Sequence, residues 1–164
     1  RELNRILGEK KEGVFQNSNI DVTVSCSRVN RDYGHLAMIE IDFLNEISAH
    51  EIIEVWQNYS SESHDLRLPS STKIINFVDG KLDVDEDRWA GSESRNPAHD
   101  LCSAMAVSVG EIEVTGKKLR FKVVSDNTIR GAAGYGVLLA ELILADGILH
   151  DSNTVLDSTF QRNN

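Results

Sequence analysis

Positive charge is scarce in this chain. Its 17 lysines and arginines stand against 26 aspartates and glutamates, giving a formal net charge of -9 and a pI near 5.0. Nucleic acids and anionic membrane surfaces need clustered Lys and Arg, so neither is an expected partner. Cysteine is scarce too: Cys26 and Cys102 lack paired or metal-ligand spacing, which argues against a disulfide framework or a zinc ribbon and leaves a reducing, cytoplasmic setting as the expectation. No long apolar run is present. The longest, 131 to 145, is interrupted by Glu141 and falls short of the roughly 20 residues a membrane span needs, and no signal peptide is expected. Also missing is a glycine fingerprint behind an early strand, the mark of a dinucleotide-binding fold.

What is there suits one soluble domain. At 164 residues and 40% hydrophobic composition the chain can bury a real core, and a second domain is not expected. The most informative stretch is RVNRDYGHLAMIEIDF, residues 28 to 43. Upstream of it, Ile20, Val22, Val24 and Cys26 alternate with Asp21, Thr23, Ser25 and Ser27, the period of a half-buried strand, and Arg28 falls on the apolar side. Ala37, Ile39, Ile41 and Phe43 make the apolar set of a second strand, and His35 is the next member going back. If Asn30 to Gly34 form the reversal, the strands are antiparallel neighbours with Arg28 and His35 at one rim. A cationic fork beside an imidazole can grip an acid and move a proton.

In chain order, Glu2 to Leu7 suits a helix end stopped by Gly8, followed by a solvated EKKEG loop and connection to residue 18. The start inside a helix suggests that residues precede it. Ser48, Glu51 and Ile47 supply a capping box and staple for a helix to about Asn58, with Ile52, Ile53, Trp56 and Tyr59 as its core face. KIINFV, 73 to 78, reads as a strand ended by Asp79-Gly80. The acidic run DVDEDR lacks the glycine and glutamate that a calcium loop requires at its sixth and twelfth positions, so a solvated loop is the better account. His50, His64, His99 and His150 share no metal-binding spacing. Residues 104 to 114 and 118 to 124 form a predicted hairpin around Thr115-Gly116, with Leu119, Phe121 and Val123 inward. Residues 125 to 147 predict a capping cluster at Asp126, Asn127 and Thr128, then a buried helix to about Asp146 stopped by Gly147. Gly131, Gly134 and Gly136 in its first turns cost about 1 kcal/mol each against alanine, so close approach by backbone, partner or ligand should compensate.

Five segments together carry a family resemblance: ELNRILG at 2 to 8, SCSRVNRDYGHLAMIEI at 25 to 41, LPSSTKI at 68 to 74, MAVSVGEI at 105 to 112, and SDNTIRGAAGYGVLLAEL at 125 to 142. In this order they resemble the C-terminal half of aspartate-semialdehyde dehydrogenase, in particular the archaeal and fungal type. The last segment is the most specific.

The resemblance implies a reductive dephosphorylation of aspartyl phosphate with NADPH, through a thioester on a cysteine. His35 corresponds to the acid/base histidine, Arg28 to the arginine holding the substrate carboxylate, Glu2 to the glutamate near the substrate amino group, and Asn127 to the asparagine beside the nicotinamide. Arg5 stands where the family usually has a phosphate-binding lysine, keeping the charge and changing the geometry. Neither Cys26 nor Cys102 matches the nucleophile, and the NADP-binding domain belongs to the family's N-terminal half. The expected architecture over residues 1 to 164 is α+β, a mixed, largely antiparallel sheet with helices on one face and the other open to a twofold partner, as a homodimer or homotetramer. A malonyl-CoA reductase of the same family, whose substrate also presents a carboxylate, and a non-catalytic dimerisation module are the alternatives.

Overall fold

The computed structural model describes residues 2–147, which fall into two compact units divided between Arg31 and Asp32. The first unit opens with helix α1 (Glu2–Ile6), followed by strands β1 (Glu9–Lys11) and β2 (Val14–Gln16). The strands pair antiparallel with Lys11 opposite Val14. Glu12 (φ 50°) and Gly13 (φ 81°) close the two-residue turn. Positive φ at both positions matches the right-handed twist of a hairpin, which is why the expected EKKEG loop is instead a hairpin. Gly8 is needed for a reason other than a left-handed cap. A Cβ there would lie 2.3 Å from the Gln16 carbonyl oxygen and 2.7 Å from the Phe15 ring, so β2 can pass the end of α1 only over a glycine.

The alternating segment Ile20 to Ser27 is not a strand. Residues 17–29 have no regular structure, Val24 is 72% exposed, and Cys26 is exposed rather than on a buried face. Alternation creates an amphipathic ribbon, but a ribbon becomes a strand only when an edge accepts its hydrogen bonds, and this unit's one small sheet does not.

The second unit is built on a four-stranded sheet in the order β3-β6-β5-β4. Its strands are β3 (His35–Asp42), β4 (Ile75–Val78), β5 (Val107–Thr115) and β6 (Lys118–Ser125). Strand β4 runs parallel to β5, and the other pairings are antiparallel. The sheet is mixed and largely antiparallel, the expected α+β class. A bulge between Gly110 and Glu113 interrupts the β5–β6 hairpin. Glu111 takes φ 50° there, and its carboxylate accepts from the Leu82 N–H at 3.1 Å and the Lys122 ammonium at 2.5 Å.

Helix α2 (Ala49–Asn58) starts at Ser48, whose hydroxyl accepts from the Glu51 N–H while the Glu51 carboxylate accepts from the Ser48 N–H, the predicted capping box. Its Trp56 meets Phe121 at 5.0 Å and Phe77 at 6.3 Å between ring centroids, covering one sheet face. Ile52 and Ile53 are half-buried on it, while Tyr59 is the C-cap and lies 48% exposed, because its extended backbone leaves the helical stripe. Two short helices follow, α3 (Glu62–Asp65) in the polar linker and α4 (Val84–Asp87) in the acidic run. In α4 the Asp83 carboxylate accepts from the Asp85 and Glu86 N–H groups, so part of that acidity is capping.

A π-turn (Ile129–Ala133) leads into α5 (Gly134–Ala145), which ends at Gly147 with φ 71°. Leu138 joins Leu68 and Met105 in the core cluster. The expected burial of this helix is not met: Tyr135, Val137, Leu139 and Leu144 are 43–55% exposed, because the unit supplies apolar partners on the Leu138 side alone. Among the described residues, no helix is long and apolar enough to cross a membrane.

Candidate active site

Two of the candidate residues, His35 and Asn127, lie where β3 begins and just past where β6 ends. Antiparallel register sets His35 opposite Ser125, so the chain entering β3 and the chain leaving β6 meet at one rim of the sheet. Gly34, with φ 83°, donates its N–H to the Asn127 side-chain oxygen at 2.8 Å, a bond between residues 93 apart in sequence. His35 and Asn127 are thereby brought together. His35 shares a sheet face with Ala37, Ile39 and Ile41, as the period of two requires, and is itself exposed. Among the described residues its imidazole caps no turn and makes no ion pair.

Asp126 anchors this rim from below. It is fully buried, and one carboxylate oxygen accepts from the Thr128 N–H, the Thr128 hydroxyl and the Ile129 N–H, each at 2.8 Å. The other oxygen meets the Arg88 guanidinium at 2.5 Å. Burial pushes this carboxyl up, but the N–H of Ile129, both donors of Thr128 and the Arg88 cation outweigh burial and hold it below the ordinary aspartate value. The predicted capping cluster is therefore real, with the aspartate as its acceptor and Asn127 turned toward Gly34. Of the three glycines, Gly134 is the one that packing requires: a Cβ there would lie 2.5 Å from the Met105 sulfur, whereas one on Gly136 would meet no described residue within 4 Å.

Glu2, Arg5 and Arg28 belong to the first unit. Helix α1 places Glu2 and Arg5 one turn apart, both exposed, with Arg5 5.8 Å from the centre of the Phe15 ring. Arg28 is exposed in the irregular 17–29 segment, and among the described residues no carboxylate pairs with it. The hairpin expected to carry Arg28 and His35 together is not formed, because β3 takes β6 as its partner.

Sequence reasoning missed Arg88. It lies in the acidic stretch without a periodic pattern, and the only available signal was a lone arginine-tryptophan pair after DVDED. Cys102 is half-buried, and its thiol donates to the Ser71 carbonyl at 3.1 Å. Burial, then the charges of Asp100 and Glu141, push that thiol up, which disfavours the thiolate. No group of histidines, cysteines and carboxylates among the described residues could hold a metal ion, and His150 lies outside those residues.

No family model matches the chain. It is 32% identical over 155 residues to the NADP malonyl-CoA reductase of Metallosphaera sedula, a match covering 91% of this chain and 41% of that protein. It is 28% identical to the aspartate-semialdehyde dehydrogenase of Archaeoglobus fulgidus (88% of this chain, 39% of that protein) and 29% identical to that of Aspergillus fumigatus (90% and 41%). The crystal structure of aspartate-semialdehyde dehydrogenase with NADP from Candida albicans superposes with a TM-score of 0.72 at 28% identity, over 90% of this chain and 41% of that one. The chain thus spans about two fifths of the length of these relatives.

Proposed function

Because this chain is a relative of the C-terminal half of the archaeal and fungal aspartate-semialdehyde dehydrogenases, we propose that it is the substrate-binding and subunit-contact part of such an enzyme. The overall reaction is the NADPH-dependent reductive dephosphorylation of aspartyl phosphate in amino-acid biosynthesis. The observation that carries this reading is the meeting of His35 and Asn127 at one rim, through the His35–Ser125 register and the Gly34–Asn127 hydrogen bond. Two motifs far apart in sequence converge where a reaction needs a proton carrier and a cofactor contact.

His35 is the acid/base: a neutral imidazole takes the proton of the attacking thiol and returns one to the oxygen of the tetrahedral adduct. Its exposure and lack of a structural partner among the described residues leave both ring nitrogens available for this. Arg28 holds the substrate carboxylate bidentately, and its exposed guanidinium, with no carboxylate partner among the described residues, is the donor fork that role needs. Glu2 serves the substrate amino group and Arg5 its phosphate.

The residues at the rim suit a nicotinamide. The Asn127 side-chain oxygen is committed to Gly34, which leaves the NH2 end to donate, and the backbone at Gly136 is open enough for close approach. NADPH, when bound, supplies the hydride, and Asn127 orients the carboxamide end of the ring that carries it. The greater part of the cofactor is held by residues outside this chain. So is the nucleophile, since Cys102 is tied to a carbonyl as a thiol and Cys26 matches no nucleophile motif. The 164 residues alone are inactive in this account, in a cytoplasmic enzyme that is a homodimer or homotetramer. The sheet face carrying Met38 (80% exposed), Glu40, Arg120 and Lys122 is the surface offered to the second copy.

The deciding experiment is His35→Ala in the complete enzyme. Loss of a general acid/base lowers kcat on the order of 10² to 10⁴-fold, while an unchanged rate would leave this chain a non-catalytic module. A second reading has its own support: at 32% identity to a malonyl-CoA reductase, the substrate could be malonyl-CoA, whose carboxylate Arg28 would hold equally well. Assaying the complete enzyme with both acyl substrates separates the two.

A further inference from the structure

We infer that Arg88 is a positioning residue for this site, a brace that fixes the His35 loop and the Asn127 loop relative to each other; the inference rests on the roles proposed above. Arg88 follows α4 and is neither at the rim's surface nor part of the sheet, yet it reaches both loops. Its guanidinium binds buried Asp126 at 2.5 Å, and Asp126 in turn holds the N–H groups of Thr128 and Ile129 that start the π-turn. That fixes the backbone on both sides of Asn127. The same guanidinium makes cation–π contacts with two aromatic rings, its central carbon 4.0 Å from the Trp89 centroid and 5.3 Å from that of Tyr33. Tyr33 precedes Gly34, whose N–H completes the circuit to Asn127.

The space is shaped to this arrangement. A Cβ on Gly34 would lie 2.6 Å from Val84 and 3.4 Å from the Arg88 Cδ, so the His35 loop lies directly on the arginine's stem. Asn127 and His35 therefore share one support rather than two. The Arg88 side chain is 15% exposed. A planar guanidinium can lie near two rings and present Nη1 to a carboxylate at once, which the point charge of lysine cannot.

The test is Arg88→Met and Arg88→Lys in the complete enzyme, with Arg95→Ala as the control, because Arg95 pairs with Glu86 on the exposed side of the same segment. Small displacements of reacting groups cost on the order of 10²-fold, so Arg88→Met should lower kcat by about that factor and raise KM for NADPH. KM for the acyl substrate, which Arg28 sets, should stay within twofold. Arg88→Lys should recover only part of kcat, and Arg95→Ala should match the parent. The amide signals of Gly34 and Asn127 and the ring signals of His35, followed by NMR in the same variants, report position independently of rate. If those signals stay in place in folded Arg88→Met, or if they move while kcat is unchanged, the brace is refuted. If activity falls only with the folded fraction, Arg88 is structural and the inference fails. His35→Asn run alongside tells the two failures apart, since a fully active His35→Asn enzyme removes the proposed site itself.

Discussion

Two glycines two residues apart in α5 should respond unequally to alanine, one gaining stability and the other gaining none or losing it. Both have helical backbones, and alanine gains about 1 kcal/mol over glycine in a helix interior. At Gly136 no described residue lies within 4 Å of the new methyl, so that gain is realised in full. At Gly134 the methyl would sit 2.5 Å from the Met105 sulfur, 2.9 Å from Ile129 Cγ2 and 3.0 Å from the Ile129 carbonyl oxygen. Met105 is 1% exposed and part of the core cluster, so its sulfur has nowhere to go without displacing Leu68 or Leu138. Overpacking of this kind costs about 1 to 3 kcal/mol, which cancels or exceeds the helix gain and separates the two variants by about 1 to 3 kcal/mol. Urea unfolding of the chain, followed by the fluorescence of Trp56 and Trp89, reads the difference as a shift in midpoint. Equal shifts in the same direction would refute it, because they would mean that Met105 yields freely and that close packing does not explain Gly134. In the complete enzyme Gly136→Ala has a second readout. If the nicotinamide passes this open backbone, the more stable variant should show a raised KM for NADPH.

Three further outcomes follow from particular groups. Asp126 has a folded-state value below its unfolded one, so between the two the folded chain binds fewer protons. Its stabilising contribution is complete above the unfolded value of about 3.9 and vanishes as pH falls through the lowered folded value. Acid unfolding of Asp126→Asn should therefore lose pH dependence in that window, provided the variant is compared with Thr128→Val to account for the lost hydroxyl bond. Ser48→Ala removes the acceptor for the Glu51 N–H and should cost about 1 kcal/mol in chemical unfolding. Arg28→Lys in the complete enzyme should raise KM for the acyl substrate while largely sparing kcat, since a point charge replaces a two-donor fork; an unchanged KM would remove Arg28 from the site.

How much was legible depended on how local the cause was. The capping box at Ser48 and Glu51, the hairpin around Gly116, the strand expected over 73 to 78 and observed over Ile75–Val78, and the stop at Gly147 are decided within a few residues, and all appear. The turn at Glu12-Gly13 is equally local but was hidden, because a glutamate at positive φ is uncommon and its short strands are charged. The segment at 20 to 27 failed for the reverse reason: its pattern was strong, but pairing depends on an edge that a pattern cannot specify. Helix α5 failed similarly, since composition shows that a helix wants cover but not what covers it. At the site, His35 and Asn127 were named from the family resemblance, but their meeting through the β3–β6 pairing was not foreseen, and neither was Arg88. Its role comes from Tyr33, Trp89 and Asp126 meeting in space.

The widened turn at Ile129–Ala133 fixes the angular setting of everything after it. Its hydrogen bonds reach back five residues, as from Ala133 to Thr128 at 2.9 Å, so it holds one residue more than a regular α-turn would. Deleting one residue there closes the wide turn to an ordinary α-turn and keeps α5 in phase, whereas inserting one into a turn that is already wide swings the following residues by about 100° around the axis. Leu138 would then rotate off Met105 and Leu68, and Glu141 would leave Ser70, from whose hydroxyl it now accepts at 2.7 Å. One surplus residue beside Asn127 thus acts as a phase reserve for the helix that follows, and a deletion here should be far better tolerated than an insertion.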